Sequence, residues 1–475
     1  MKSSLRVLKG TAAAAAIITA MSFGAGPASA EGAFSYAEAA KPYAGTTIKV
    51  LDEITPLQET LATLVPKFTE ETGIKVEYEL LSHLDVINKG QADMLSGRGN
   101  YDGVMLHGFQ MGPMLEADAI LPINDLLANP ALANPNLDTG DFIEVPFKTL
   151  AFFGDKQYGF LNWNYNYVYW TRADLMNDAT EKAAFEAKYG YALAPAKTLE
   201  QLRDIAEFFT RKKGDKLKGE PLASDFYGIV IEGLKGQTSV SLFIGNLLHN
   251  FGGDIIDAQG KPTFDSPVVI DALKLWAELW KYAPPGTAEY SVVDVPTVMG
   301  TGVAAQSLAY SDFVLGIDKE GGSPLHGSFL YAAPPVKEGV DASKRSIESE
   351  PSMIVISRST KNPEATFLFQ QWLVDKQQQQ ALLEAGNGGV PIRVSSWDHL
   401  HSLEEHNPTL VSAMKSSLEV SRSKPPMPNY FQIIDALSDV VQKVGLGILT
   451  PEEAATQGQA ALVKLCGDNC LLVAK

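Results

Sequence analysis

Between Thr47 and Leu80 the apolar pattern changes period twice, and this restricts the fold more than any other feature of the chain. Thr47 to Leu51 is a short run of β-forming residues. Leu57, Leu61, Leu64, Val65 and Phe68 then share one face at helical spacing, and Gly73 is a natural helix stop. Beyond it Ile74, Val76, Tyr78 and Leu80 alternate, as a half-buried strand does. A strand, helix and strand in so short a span form a βαβ unit, which implies parallel pairing and an α/β sheet. Asp102 to Leu106 reads as a further strand. Ser266-Pro267 opens a helix with Val269, Leu273, Trp276 and Trp280 along one face. Asn362-Pro363-Glu364 opens another, striped by Leu368, Phe369, Trp372 and Leu373. That helix is expected to continue to Gly386 and to carry Gln377–Gln380 on a solvated face. The chain contains no internal repeat.

The N-terminus points to export. Lys2, Arg6 and Lys9 precede an apolar stretch from Thr11 to Met21, and Ala28-Ser29-Ala30 offers small residues for cleavage. The stretch is shorter than the about 20 residues that span a bilayer. Residues 1–30 are therefore expected to be a signal peptide, with a mature chain starting near Glu31 in the periplasm. The formal net charge of −17 makes nucleic acid and anionic lipid poor partners. The two cysteines, Cys466 and Cys470, are expected to pair in an oxidising compartment.

Several segments, taken in order, resemble the bacterial extracellular solute-binding proteins that serve ABC importers of sugars, the group that includes maltose-binding protein. They are Phe68-Thr69-Glu70-Glu71-Thr72-Gly73-Ile74-Lys75-Val76, Tyr101-Asp102-Gly103-Val104-Met105, Tyr158 to Leu161 with Trp170 to Leu175, and Asn250-Phe251-Gly252-Gly253. Gly302 to Ala305 leading to Tyr310-Ser311-Asp312, Ala332 to Pro335, Lys361 to Ala365 and Thr450 to Ala454 continue the likeness. The resemblance implies a periplasmic-binding-protein fold: two α/β lobes joined by crossing strands, with a ligand cleft between them. It places lobe one at Ala44–Leu161 plus Ile354–Ser395, and lobe two at Tyr165–Glu350 plus His399–Lys475. It also implies a non-catalytic monomer that carries a carbohydrate or polyol to ABC permease subunits and needs no cofactor.

A sugar site needs carboxylates and amides for hydroxyls and aromatic rings for C–H faces. In open α/β sheets such groups stand beyond the carboxyl ends of the strands. After the first strand come Asp52, Glu53 and Thr55, which also suit helix capping. After the second come Ser82 and His83. After the third come His107, Phe109 and Gln110, which the resemblance ranks above His83 because that turn faces the cleft. The crossing Asn162-Trp163-Asn164 supplies two amides and a ring, where relatives often carry an acidic residue at the position of Trp163. Tyr167, Tyr169 and Trp170 read as core. Tyr310, where many relatives place tryptophan, and Asp312 form a ring and carboxylate pair. Glu348, Ser349 and Glu350 lie near the second crossing, and Asn387 in Asn387-Gly388-Gly389 offers an amide or a helix C-cap.

Rival readings have weaker support. No phosphate loop, Gly-x-Ser-x-Gly or His-Glu-x-x-His is present. Gly300-Thr301-Gly302-Val303-Ala304-Ala305 fits the loose dinucleotide pattern but lacks a βαβ setting. A pair of carboxylates could serve a glycoside hydrolase. His399, His401, Glu404, Glu405 and His406 cluster without a standard zinc spacing, so no metal is expected there. Tyr165, Tyr167 and Tyr169 alternate on one strand face, which suits packing better than iron ligation.

Overall fold

The computed structural model describes residues 34–236, 241–318, 322–341, 347–384, 390–400, 403 and 407–473. The βαβ unit forms as the periodicity implies. Strand β1 (Thr47–Glu53) leads into helix α1 (Pro56–Thr72), which ends at Gly73 with φ +74°, the left-handed turn a glycine adopts without strain. Strand β2 (Lys75–Leu81) then pairs parallel to β1, from Thr47 opposite Lys75 to Glu53 opposite Leu81. Helix α2 (His83–Ser96) returns the chain to β3 (Gly103–His107), parallel to β1 on its other side. Ile48, Val50 and Leu51 are fully buried beneath these helices.

Past residue 160 the chain leaves this sheet. Strand β4 (Leu161–Trp163) is followed by β5 (Tyr167–Arg172), which sits between β6 (Gln306–Tyr310) and β7 (Phe329–Ala332) in a second, antiparallel sheet. The helix expected after Ser266, α3 (Pro267–Lys281), lies in the intervening segment and buries Val269, Leu273 and Trp276. The chain comes back through β8 (Ile347–Glu348) and β9 (Ser352–Ile356). All five β9 residues are buried, and β9 pairs antiparallel with both β3 and β4. The first sheet therefore has the order β2-β1-β3-β9-β4. Its fourth strand comes from a part of the chain nearly two hundred residues beyond β4. The outcome is two α/β lobes.

Two antiparallel segments run between the lobes. Asn166 bridges Ser349, and the Glu350 N–H donates to the Tyr165 carbonyl at 3.1 Å. Strand β10 (Ser421–Arg422) lies parallel to β8 beside this crossing. Helices α5 (Tyr430–Gly445) and α6 (Pro451–Cys466) follow α4 (Pro363–Leu373) in the chain and pack on α3. The Cys466–Cys470 disulfide joins the last residue of α6 to the segment that follows it.

Two expectations are corrected here. The helix that opens at Pro363 stops at Leu373, and a separate helix covers Lys376–Glu384. The Asp375 side chain caps the second by accepting from the Gln377 N–H at 3.2 Å, while the Arg393 Nε donates to the freed Val374 carbonyl at 2.9 Å. Gln378 and Gln379 are buried, not solvated, because Gln379 Nε2 satisfies the Leu373 carbonyl at 3.0 Å. The glycine pattern at Gly300 ends a helix and precedes β6, the reverse of a dinucleotide turn.

Candidate ligand-binding site

A cavity of about 420 Å³ opens between the carboxyl ends of the first sheet and the start of the turn after β6. The first lobe contributes Glu53, Ser82, His83 and Phe109. The second contributes Val292, Tyr310, Asp312 and Phe313, and the crossings supply Trp163, Tyr165 and Glu350. Position follows from topology. Glu53 ends β1, His83 begins the helix after β2, and His107 ends β3, so three adjacent parallel strands deliver three polar side chains to one edge.

Both imidazoles converge on a single oxygen of Glu53. His83 Nδ1 is 3.0 Å and His107 Nε2 2.9 Å from Oε2. His107 is fully buried, and its other nitrogen meets the Tyr165 hydroxyl at 3.2 Å. Burial alone would raise the Glu53 carboxyl, yet the two histidines outweigh it and hold it at about 2. Burial pushes His107 down; at His83 the Glu53 charge outweighs burial and pushes the imidazole up.

The far wall is aromatic and acidic. Trp163, Tyr165 and Tyr310 form a chain of rings with centroids 4.6 and 4.7 Å apart. The Tyr310 hydroxyl donates to Glu348. Lys424 reaches Glu350 at 2.6 Å and Glu348 at 3.1 Å, so its charge is engaged by two carboxylates. Those two neighbours outweigh burial and push the Lys424 ammonium up. Burial raises Asp312 to about 7, and its Oδ1 has no hydrogen-bond partner. The indole Nε1–H of Trp163 likewise has none.

A family model described as bacterial extracellular solute-binding protein matches residues 52–380, well over half of the chain. The chain belongs to that family. Among the relatives of this solute-binding protein is the "Probable amino-acid ABC transporter periplasmic-binding protein" of Sinorhizobium fredii, 24% identical over 88% of this chain and 89% of that one. The erythritol/L-threitol-binding protein of Mycolicibacterium smegmatis is 23% identical over 74% of this chain and 72% of its own length. Among solved structures, an ABC transporter solute-binding protein of Agrobacterium radiobacter in complex with ribitol superposes with a TM-score of 0.72. It is 23% identical and covers 89% of this chain and 99% of its own.

Within this solute-binding protein Glu53, His83, Phe109, Trp163, Tyr310, Asp312 and Glu350 line the cavity. Five other candidates stand behind its wall. Asp52 is fully buried, accepting from the Tyr78 hydroxyl at 2.5 Å and Asn162 Nδ2 at 3.3 Å. The order expected of the histidines is reversed: His83 faces the cavity, and His107 sits beneath Glu53. Gln110 turns its carbonyl back to the His107 N–H at 3.0 Å. Asn162 and Asn164 accept from Ser352 and Ser349, at 3.2 and 2.7 Å, and so tie the two crossing segments together. Asn387 lies outside the described residues, as do His401, Glu404, Glu405 and His406.

Sequence reasoning missed Tyr165, Lys424 and Tyr430 as cavity residues. Tyr165 was grouped with the packing tyrosines. Lys424 follows β10, and the same strand-end rule would have found it had a two-residue strand been legible.

Proposed function

We propose that this chain captures a sugar or sugar alcohol and delivers it to the permease of an ABC importer. One observation carries the ligand class: Trp163 and Asp312 line the same cavity, and each keeps a buried polar atom without a partner, one a donor and one an acceptor. A hydroxyl both donates and accepts. Leaving such an atom unsatisfied costs about 1–3 kcal/mol, which ligand hydroxyls would recover. The rings of Trp163, Tyr165, Tyr310 and Phe109 offer apolar faces to C–H groups. The polyols named for the M. smegmatis and A. radiobacter proteins support this reading. The amino-acid name of the S. fredii relative fits less well. An α-carboxylate needs an unengaged cation, whereas Lys424 already serves two carboxylates and, among the described residues, no arginine lines the cavity.

We divide the chain into lobe one at residues 44–161 plus 354–395 and lobe two at 165–350 plus 399–475, with residues 1–30 as a cleaved leader for a periplasmic monomer. The lining residues come from both lobes, so ligand would favour the closed form by its differential affinity, without catalysis. A thermal-shift screen of erythritol, ribitol, mannitol, maltose and the common amino acids tests the reading. Ligand at 100 times its Kd adds about 2.7 kcal/mol of native stability. Stabilisation by amino acids alone would overturn the proposal.

A further inference from the structure

We propose that Glu53, His83 and His107 form a binding site for a divalent transition cation of the zinc class, opening on the ligand cavity. Among the described residues this is the one group of three or more His, Cys, Asp or Glu side chains whose donor atoms lie close enough to share a metal, all within 4.8 Å of one another. Two imidazoles and a carboxylate are a common open donor set for such ions, leaving coordination positions for water or substrate.

The arrangement has three features that a cation would use. First, His83 Nδ1 and His107 Nε2 do not divide the two Glu53 oxygens between them but converge on Oε2. Donor atoms about 2.0–2.2 Å from a tetrahedral metal are roughly 3.4 Å apart, so the observed 3.0 and 2.9 Å must open slightly, while the two imidazole nitrogens, within 4.8 Å of one another, settle to the same spacing. His83, on the cavity side with a side chain 23% exposed, has the freedom to give that opening.

Second, the outer partner is in place. A metal on His107 Nε2 requires the proton on Nδ1, and the Tyr165 oxygen lies 3.2 Å from Nδ1. Tyr165 donates to Nδ1 in one tautomer and accepts from it in the other, so it orients the ring in both states. Third, the ligands sit on adjacent strand ends and a helix start rather than on a mobile loop, which is the preorganisation a metal site needs. Beside the site Glu348 and Glu350 outnumber the single Lys424 charge that they engage, so the surroundings are net negative. The open coordination positions face the cavity through His83, where water or the vicinal hydroxyls of a bound ligand would fill them.

This inference does not depend on the ligand being a polyol, and its test uses metal alone. Untagged full-length mature protein is stripped with a chelator, dialysed and titrated with Zn²⁺ against a chromogenic chelator; Co²⁺ uptake is followed by its visible spectrum. About one equivalent should bind, with a spectrum showing nitrogen ligation. His83→Ala and Glu53→Gln should each weaken uptake at least tenfold, and Tyr165→Phe by about 10–100-fold, the usual cost of losing an outer partner. His326→Ala, at an exposed histidine elsewhere, should bind as wild type. Circular dichroism separates metal loss from misfolding. Substoichiometric uptake by wild type, or equal uptake by folded His83→Ala and Glu53→Gln, would overturn the assignment.

Discussion

Asp312→Asn should weaken ligand binding and stabilise the ligand-free protein, two effects of opposite sign from one atom. Burial raises this carboxyl from 3.8 to about 7, and its Oδ1 has no partner. An acid whose folded pKa is raised is penalised in the folded state only when charged. Its native stability is therefore intact below about pH 4 and is lost as pH rises through about 7. A shift of roughly three units corresponds to a penalty of about 4 kcal/mol above pH 7, at 1.36 kcal/mol per unit, and water entering the cavity reduces it. The asparagine variant has no such charge. Its melting temperature should match wild type near pH 4 and exceed it at pH 8. With ligand present the carboxylate accepts a hydroxyl hydrogen bond worth about 1.5–3 kcal/mol, so the variant should bind roughly 10- to 150-fold more weakly at pH 8. Melting curves at several pH values and calorimetric titration with the ligand identified by screening provide both readings. Parallel stability profiles for the two proteins, or undiminished affinity in the variant, would refute the reasoning.

Four further outcomes follow from particular contacts. Gly112→Ala should lower the melting temperature by the equivalent of about 1–3 kcal/mol, because a Cβ there would lie 2.2 Å from the Met427 carbonyl oxygen and backbone must move. Reducing Cys466–Cys470 should cost no more than about 2 kcal/mol by denaturant titration, since so short a loop restrains little unfolded-chain entropy; two thiols titrating in unreduced protein would contradict the pairing. N-terminal sequencing of the periplasmic protein should begin at Glu31, and a retained Met1 would refute export by cleavage. Small-angle scattering should show a smaller radius of gyration on saturation with ligand, and an unchanged radius would argue against closure.

The first lobe was legible because local period and burial agree there. Residues 47–81 run from a short β-forming stretch through a helical face to an alternating one, and β1 and β2 pair in parallel register as that order implies. What periodicity could not disclose was β9. Ser352–Ile356 is a continuous buried run, and nothing in it states that its partners are β3 and β4. The break at Val374 was hidden for a related reason. Asp375 and Arg393 stabilise two helix ends there, and only the fold brings Arg393 to the Val374 carbonyl.

The candidate site was legible in residue type and less so in direction. The rule that ligands meet strand ends selected Glu53, His83 and Phe109, and the family resemblance selected Tyr310 and Asp312; all five line the cavity. It selected Asp52 and His107 equally, because neighbouring positions at a strand end point to opposite faces. Buried amides must find partners, and the expected partner of Asn162 and Asn164 was the ligand; neither lines the cavity. Their partners are instead Ser352 and Ser349, on the returning strand. The two amides thus join the outgoing crossing to the incoming one directly behind Trp163, and the ring that faces the cavity is carried on a segment braced on both sides. Motion between the lobes would therefore turn about this pair of segments rather than separate them, since parting them would cost two buried amide oxygens the serine hydroxyls that they accept from.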